Sequence, residues 1–546
     1  MKEIINKKWN AKGSLLTEVT GLSYDSRTTK MGDLFIALKG ESMDSHDYIE
    51  DVFNKGASSV IVQAGRVNYD YYKDKYPAAV FVETDDTREA LAFVSDAFYR
   101  YPSQALDVIG VTGTNGKTTT SYIARSIMTK AKGMTGLIGT ISYISGNARL
   151  DAPRTTPEAP DFQSLLRRMA DDGCSAVVSE VSSHALAQKR VDHTRFKTAV
   201  FTNLTRDHLD FHKDMESYYS AKKRLFSELL VDGGSAVINI DDEYGARLAA
   251  ELSASRGSSI KIITYAVKNS EADLAAENIE FAYTGTKFRI KLSSRVSTEA
   301  GFMDISSKLV GYSNVFNVLC AAAIGLSNNI SIENIKEGIV MTEMVKGRFE
   351  CVDLGQDFLA VVDYAHTEDA LEGLLNTAHQ LLDSYHYAGK AGRLAKMRKD
   401  RFSLPTVKGR GKIITVFGCG GNRDKGKRPK MGELAARLSD FVIITSDNPR
   451  GEDPKKILKD IEKGVKGDNY IVIPDRSVAI SLAVELASSG DILLVAGKGH
   501  EEYQEIQGAR FSFSDKTTLE TAIKRTITRP AFGGGTNYMG SEAARC

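Results

Sequence analysis

The chain has 546 residues, enough for about three or four domains, and sets 71 Lys and Arg against 70 Asp and Glu. That balance leaves no overall field to recommend a nucleic acid or a charged membrane as the main partner, so any charged ligand has to be held locally. Five scattered cysteines, Cys174, Cys320, Cys351, Cys419 and Cys546, form no C-x-x-C pair, which argues against a disulfide framework and a zinc site.

The first residues, "MKEIINKKWNAKG", lack the apolar run of a signal peptide, and no segment approaches the roughly 20 apolar residues of a membrane span, so a cytoplasmic protein is expected. Residues 1–101 show short strands, "DLFIALKG", "SSVIVQ" and "AAVFVET", around a helical stretch. They are read as a small α/β domain ending near Tyr101 and Pro102.

At residues 110–120 stands "GVTGTNGKTTT". The usual phosphate loop, G-x-x-x-x-G-K-[ST], wants a glycine where this chain has Val111; the nearest loop glycine is Gly113. The loop nevertheless joins an apolar strand, "DVIGVTG", to a helix of good formers, "TTSYIARSIMTKA", the context in which backbone N–H groups face phosphates. Lys117 is expected to neutralise the β/γ charge and the Thr118 hydroxyl to reach Mg²⁺.

Two further apolar strands, "SAVVSEVSS" (175–183) and "TAVFTNLTRDHLDFH" (198–212), run into polar residues at their ends. Glu180 and His208 are thereby expected on the rim where parallel sheets bind ligands, as metal ligands beside a Mg-nucleotide loop. Residues 102–345 are read as this central domain.

The last third alternates strand and helix from "KIITVFGCGG" to "DILLVAGKGHE", which predicts a second parallel sheet with helices on both faces, in a domain spanning 346–530. Three of its strands end in polar clusters, "GCGGNRDKGKR", "SDNPRGED" and "GKGHEEYQ", which the switch-point rule gathers on one edge. Ahead of the first of these strands lies a basic run from Tyr385 to Lys412 with a single acid, Asp400, read as a solvated loop. The Gly-rich tail, 531–546, is expected to be disordered.

Taken together, "TGTNGKTTT", "TTPEAPD", "EVSSHAL", "TNLTRDHLDFHKDM", "YAHTEDALE", "GCGGNRDKGKRPKM", "DNPRGEDP" and "GKGHEEYQ" resemble the Mur ligase family, in order and over roughly residues 20–520. The family's loop has the form T-G-T-x-G-K-[TS], so the short spacing belongs to the resemblance. It implies an α/β fold of three domains: a small N-terminal one, a central P-loop ATPase-like parallel sheet and a C-terminal Rossmann-like doubly wound sheet. The activity implied is an ATP-dependent amide ligase of peptidoglycan synthesis that adds meso-diaminopimelate to UDP-N-acetylmuramoyl-L-alanyl-D-glutamate through an acyl phosphate; separately from the resemblance, a monomer is expected. Mg²⁺ and cations then stabilise the charge that accumulates on the reacting groups.

Residue by residue, the resemblance assigns Gly113, Thr114, Asn115, Gly116, Lys117, Thr118 and Thr119 to ATP, with Arg348, Asp363 and His366. Thr118, Glu180 and His208 match Mg²⁺ positions, and Lys222 matches a carbamylated lysine, a CO₂-derived anion. Ser26, Thr155, Thr156, Ser182, Gln188 and Arg190 match positions that hold the UDP-muramoyl dipeptide. Ser182 sits in no G-x-S-x-G elbow and is not read as a nucleophile.

Diaminopimelate differs from lysine by a distal carboxylate, for which a guanidinium is the natural bidentate partner, and Arg450 of "DNPR" is expected to supply it. Arg423, Asp447, Asn448, Pro449, Gly497 and Glu501 are expected around the same amino acid. The alternatives are the same reaction with L-lysine, against which Arg450 argues; a folylpolyglutamate-type ligase, against which "DNPR" and "YDSRTTKMGDLFIALKG", similar to the segment by which the family holds the uridine nucleotide, argue; and a nucleotide-dependent binding module without turnover.

Overall fold

The computed structural model describes residues 1–40, 43–282, 284–297, 301–390 and 411–528. They fall into two compact units, Met1–Lys346 and Gly347–Cys546.

The first unit holds two sheets. The smaller has five strands in the order Asn10–Lys12, Val80–Thr84, Ser59–Gln63, Asp33–Ile36, Gly21–Ser23. All pairs are parallel except the one made by Asn10–Lys12. Apolar clusters cover both of its faces, as the unbroken apolar runs of a parallel sheet require. Helix Thr87–Phe98 is started by Asp86, whose carboxylate accepts from Arg88 N and Glu89 N. Tyr24 Oη reaches Asp161 Oδ2 at 2.7 Å, tying this sheet to a helix of the larger one.

In the larger sheet of eleven strands, Asp107–Thr112 lies between Ala176–Glu180 and Phe196–Phe201, parallel to both. Helices Lys117–Lys132, Tyr312–Ser327 and Ile332–Met341 bury one face. Helices Ala159–Asp171, Met215–Arg224 and Glu243–Arg256 bury the other. With both faces covered, the strand before the loop is apolar throughout, and only its ends can carry chemistry.

This sheet is not purely parallel. Antiparallel hairpins extend both edges, Ser142–Ser145 with Ala148–Asp151 on one side and Leu274–Ala282, Gly285–Leu292 and Phe302–Ser307 on the other. The strand expected over 198–212 ends at Phe201; Leu209–His212 is a short helix.

Among the described residues, the main sheet of the second unit has six strands in the order Glu350–Val352, Leu359–Asp363, Ile492–Ala496, Ile413–Phe417, Phe441–Ile444, Tyr470–Val472. All neighbours are parallel except the first pair. The hairpin Tyr503–Ile506 and Ala509–Ser512 follows the last of them in sequence. Arg476 and Asp515, both fully buried, form an ion pair at 2.7 Å, and Arg476 Nη2 also donates to Ala496 O, fixing the end of the central strand. Helix Glu368–Lys390 carries the start of the basic run expected as loop; 391–410 and the tail lie outside the described residues. Among the described residues no helix is long and apolar enough to cross a membrane.

Candidate functional site

The loop after Thr112 turns on two glycines with left-handed backbones, Gly113 at φ 149° and Gly116 at φ 84°. A Cβ on Gly113 would stand 1.8 Å from Thr202 Oγ1, and one on Gly116 would stand 2.6 Å from Asn317 Oδ1, so neither position tolerates a side chain. Neighbouring strand ends pin the loop: Thr114 N donates to Asn203 O and Asn115 N to Asn203 Oδ1, each at 2.9 Å. Helix Lys117–Lys132 starts at Gly116 without a capping side chain, which leaves its N-terminal N–H groups to a ligand. Lys117 Nζ rests on the carbonyls of Gly113 and Thr114 at 3.0 and 2.9 Å.

Glu180, the last residue of its strand, is fully buried. Its oxygens accept from Thr118 Oγ1, Thr140 Oγ1 and Thr140 N, each at 2.9 Å, all neutral donors. A buried carboxylate without a cation suits a metal ion. His208 lies seven residues beyond its strand, at a left-handed φ of 55° before the short helix. It faces Asp207 at 3.4 Å and His184 at a ring distance of 4.8 Å. Burial of the ring, against the pull of Asp207, holds its imidazole well below the ordinary range.

Lys222 is 1% exposed on helix Met215–Arg224. Its ammonium donates to Gly113 O at 2.8 Å and lies 4.6 Å from the Tyr218 ring. Tyr218 Oη in turn meets Thr114 Oγ1 at 3.1 Å. Desolvation, then the repulsion of Lys117, lowers the Lys222 pKa far below its ordinary value. Among the described residues no group of three or more His, Cys, Asp or Glu side chains could hold a metal ion; the expected set includes only two of these types, plus Thr118 and Lys222.

The residues expected to hold the dipeptide also converge. Thr140 Oγ1 meets Thr155 Oγ1 at 3.1 Å, Thr156 Oγ1 donates to Glu180 O, and Ser182 N donates to Thr156 Oγ1. Arg190 donates to Thr156 O and Gln188 Oε1 and pairs with Glu158 at 3.0 Å. Gln188 and Arg190 open on a cavity of about 590 Å³ shared with Lys39, Gly40, Arg88, Arg154, Glu158 and Phe211. Four cations against one carboxylate suit a pyrophosphate and carboxylates. Ser26 lies apart, in the turn after strand Gly21–Ser23, its carbonyl accepting from Lys55 Nζ at 2.5 Å.

In the second unit the three polar clusters meet at one sheet edge. Arg450, at φ 52°, donates through Nη1 to Gly421 O at 3.0 Å and stands 3.8 Å from Glu505. Its backbone bridges Ile506 of the hairpin. Asn448 Nδ2 donates to Glu501 Oε2 at 2.8 Å, and Gln504 Nε2 to Asp447 O at 2.7 Å. Gly497 N donates to Asp363 O at 3.0 Å. Arg423 is exposed, one Nη1 on the Asn422 carbonyl. Burial pushes the Glu501 carboxyl up, with Lys498 opposing and Asp447 adding.

Arg348, Asp363 and His366 gather around Tyr364 in this unit. The Arg348 guanidinium lies 4.6 Å from the Tyr364 ring, and His366 Nδ1 contacts Tyr364 O at 2.8 Å. Asp363 accepts from Phe349 N and Ala365 N, and burial raises its pKa against the pull of Arg348.

Several neighbours escaped the sequence reading: Thr140, His184, His212, Lys39, Arg88 and Lys498. The strand-end rule that found Glu180 would also have found Thr140, two residues past Thr135–Ile138. His212 stacks on Tyr218 at 4.9 Å and meets Ser183 Oγ at 2.9 Å. Burial lowers its imidazole to about 4.

Fold and loop define a nucleotide-binding α/β protein with a second doubly wound sheet. Three family descriptions match in order: Mur ligase family, catalytic domain, at 18–99; Mur ligase middle domain at 111–325; and Mur ligase, glutamate ligase domain, at 394–499. The chain belongs to the Mur ligase family, and it is an enzyme of the ligase class. It is 42% identical to the UDP-N-acetylmuramoyl-L-alanyl-D-glutamate--2,6-diaminopimelate ligase of Bacillus licheniformis, over 93% of this chain and 95% of that one. It is 40% identical to the protein of the same name from Geobacter metallireducens, over 97% and 98%. A solved structure of such a ligase superposes with a TM-score of 0.61 at 30% identity, covering 94% of this chain and 96% of that one. MurF from Acinetobacter baumannii, at 17% identity and a TM-score of 0.60 over 94% of each chain, shares the fold.

Proposed function

We propose that this protein joins an amino group of meso-diaminopimelate to the D-glutamate carboxylate of UDP-N-acetylmuramoyl-L-alanyl-D-glutamate, with ATP as the activating substrate. The observation that carries the reading is the contact of Thr118 with Glu180 at 2.9 Å, which puts a buried carboxylate served only by neutral donors beside a phosphate loop. The names of relatives about 40% identical over nearly the whole chain support the choice of substrates.

In this reading the loop amides, Gly113 to Thr119, and Lys117 hold the phosphates, as their geometry suits. Arg348, Asp363 and His366, which belong to the second unit, are the further residues that the family resemblance assigns to the nucleotide. Thr118, Glu180, His208 and a carbamate on Lys222 would hold Mg²⁺, which when bound neutralises charge on the transferring phosphoryl group. The donor set fits that ion in one respect above all: Lys222 is a buried lysine whose neighbour is another lysine, and the neutral amine this favours is the form that adds CO₂.

Arg190, Gln188, Ser182, Thr155, Thr156 and Ser26 hold the nucleotide-linked dipeptide. Its carboxylate oxygen attacks the γ-phosphorus, a C–O–P linkage forms, and ADP leaves. The amine nitrogen then attacks the carbonyl carbon of the acyl phosphate, loses a proton, and phosphate departs with its bridging oxygen. Glu501, Asp447 and Asn448 offer acceptors to an ammonium, while Arg450 pairs with the distal carboxylate that lysine lacks. Arg423, Pro449 and Gly497 line the same site. Such substrates are those of the cytoplasm.

Phosphate release measured with ATP and the UDP-muramoyl dipeptide, plus meso-diaminopimelate, L-lysine or no amino acid, tests the reading. Diaminopimelate should support turnover and lysine should not; preference for lysine overturns the choice of amino acid, and release that needs no amino acid overturns the ligase.

A further inference from the structure

One lysine of the second unit is buried where lysines rarely are. Lys498 follows Gly497 at the end of the central strand and is 0% exposed. Its ammonium donates to Asn448 Oδ1 and pairs with Glu501 Oε2, each at 3.0 Å. Asn448 Nδ2 donates to that same Glu501 oxygen at 2.8 Å, so side chains from two strand-end loops close a three-membered ring of contacts. Glu505 N donates to Asn448 Oδ1 at 2.9 Å, which fixes the amide's orientation. Glu501 Oε1 takes part in none of these bonds and is left to accept from something else.

A buried ion pair is commonly no more stable than well-packed apolar residues of similar volume, so its presence points to a need for the charge itself. The charged and titratable groups near enough to act on Glu501 electrostatically include Lys498, Asp447, Arg476, Tyr364 and Tyr503. Without Lys498, the carboxyl buried beside Asp447 is pushed further toward its protonated form, which lacks the negative charge that attracts an ammonium.

We propose that Lys498 is a positioning residue for the incoming amino acid, holding Glu501 as an oriented carboxylate and locking the Asn448 amide so that Glu501 Oε1 presents an acceptor to the substrate ammonium. This rests on the reading of the cluster as the amino-acid site. It assigns to the lysine of "GKGHE" an action through Glu501, with no contact to substrate.

Kinetics of Lys498→Met, Glu501→Gln and the double variant test it. Lys498→Met should raise KM for diaminopimelate about 30-fold, as expected for a lost charge-assisted bond, and leave KM for ATP and for the UDP-muramoyl dipeptide within about twofold. Its kcat/KM for diaminopimelate should fall on the acid side, with the acid limb displaced to higher pH. Because the lysine acts through Glu501, the double variant should be no worse than Glu501→Gln, and this comparison serves if Lys498→Met alone does not fold. An unchanged KM for diaminopimelate, an equal loss for all three substrates, or additive effects overturn the proposal. If the wild-type enzyme uses no diaminopimelate, the functional reading fails by itself. Lys498 is then judged on the titration of the Glu501 carboxyl, identified by its absence from Glu501→Gln: upward displacement in Lys498→Met supports the proposal and none overturns it.

Discussion

Lys222 Nζ donates to the carbonyl oxygen of Gly113 at 2.8 Å, joining a helix-borne lysine to the turn that opens the phosphate loop. The contact fixes where the amine stands. Burial and Lys117 hold it toward the neutral form, and the Tyr218 ring lies 4.6 Å from it.

Removing that amine should therefore remove turnover and spare the loop. Lys222→Ala is expected to lower kcat by about a thousandfold, in the range of a lost electrostatic stabiliser. Nucleotide affinity, measured by calorimetry, should change little. Partial recovery by formate or acetate would mark the missing group as an anion; no recovery together with an unmodified Lys222 in active wild-type protein removes the carbamate.

Glu180 meets only neutral donors, so Glu180→Gln keeps plausible partners for its own oxygen and should fold at near wild-type stability. The Mg²⁺ concentration for half-maximal activity is expected to rise at least about tenfold, as for a site losing one charged ligand. Titration of activity against Mg²⁺ checks this, and an unchanged midpoint contradicts the ligand role.

The unequal legibility of these residues has physical causes. The loop and Glu180 end apolar strands of a sheet covered on both faces, so a break in hydrophobicity marked them. His208 stands beyond an irregular turn with a positive φ, and no period continues through such a turn; the strand was therefore extended over it. The edge hairpins bury one face, and in "FRIKL" the apolar residues alternate with cations, a pattern weaker than the continuous runs around it. Lys498 was invisible because a lysine in a Gly-rich segment reads as surface until the fold closes around it.

Arg450 is held from behind by Gly421 O and its own backbone bridge to the hairpin. Arg450→Ala should raise KM for diaminopimelate about a hundredfold, the scale of a bidentate charge-assisted pair, with KM for ATP unchanged. Arg450→Lys should recover little of the loss, since an ammonium lacks the planar fork. Equal losses for both substrates contradict the assignment.

Asp96 offers a test of stability in the smaller sheet's helix. Its Oδ1 is buried without a hydrogen-bond partner, and burial raises its carboxyl from 3.8 to about 6. The folded state thus holds a proton that the unfolded chain releases, stability falls as pH rises through that window, and the full cost is present above it. The interval corresponds to at most about 3 kcal/mol. Asp96→Asn should be more stable than the wild type at about pH 8, with the advantage shrinking toward about pH 4 in urea unfolding. A difference that does not vary with pH contradicts the shift.

The central claim is that the D-glutamate carboxylate is activated by phosphoryl transfer before the amine arrives, and its most direct measurement follows a heavy-oxygen label placed in that carboxylate. With ATP, Mg²⁺ and diaminopimelate, the label should appear in the phosphate released, one carboxylate oxygen for each amide formed. Amide formation with unlabelled phosphate would contradict the acyl phosphate and, with it, the chemistry assigned to the loop, Glu180 and Lys222.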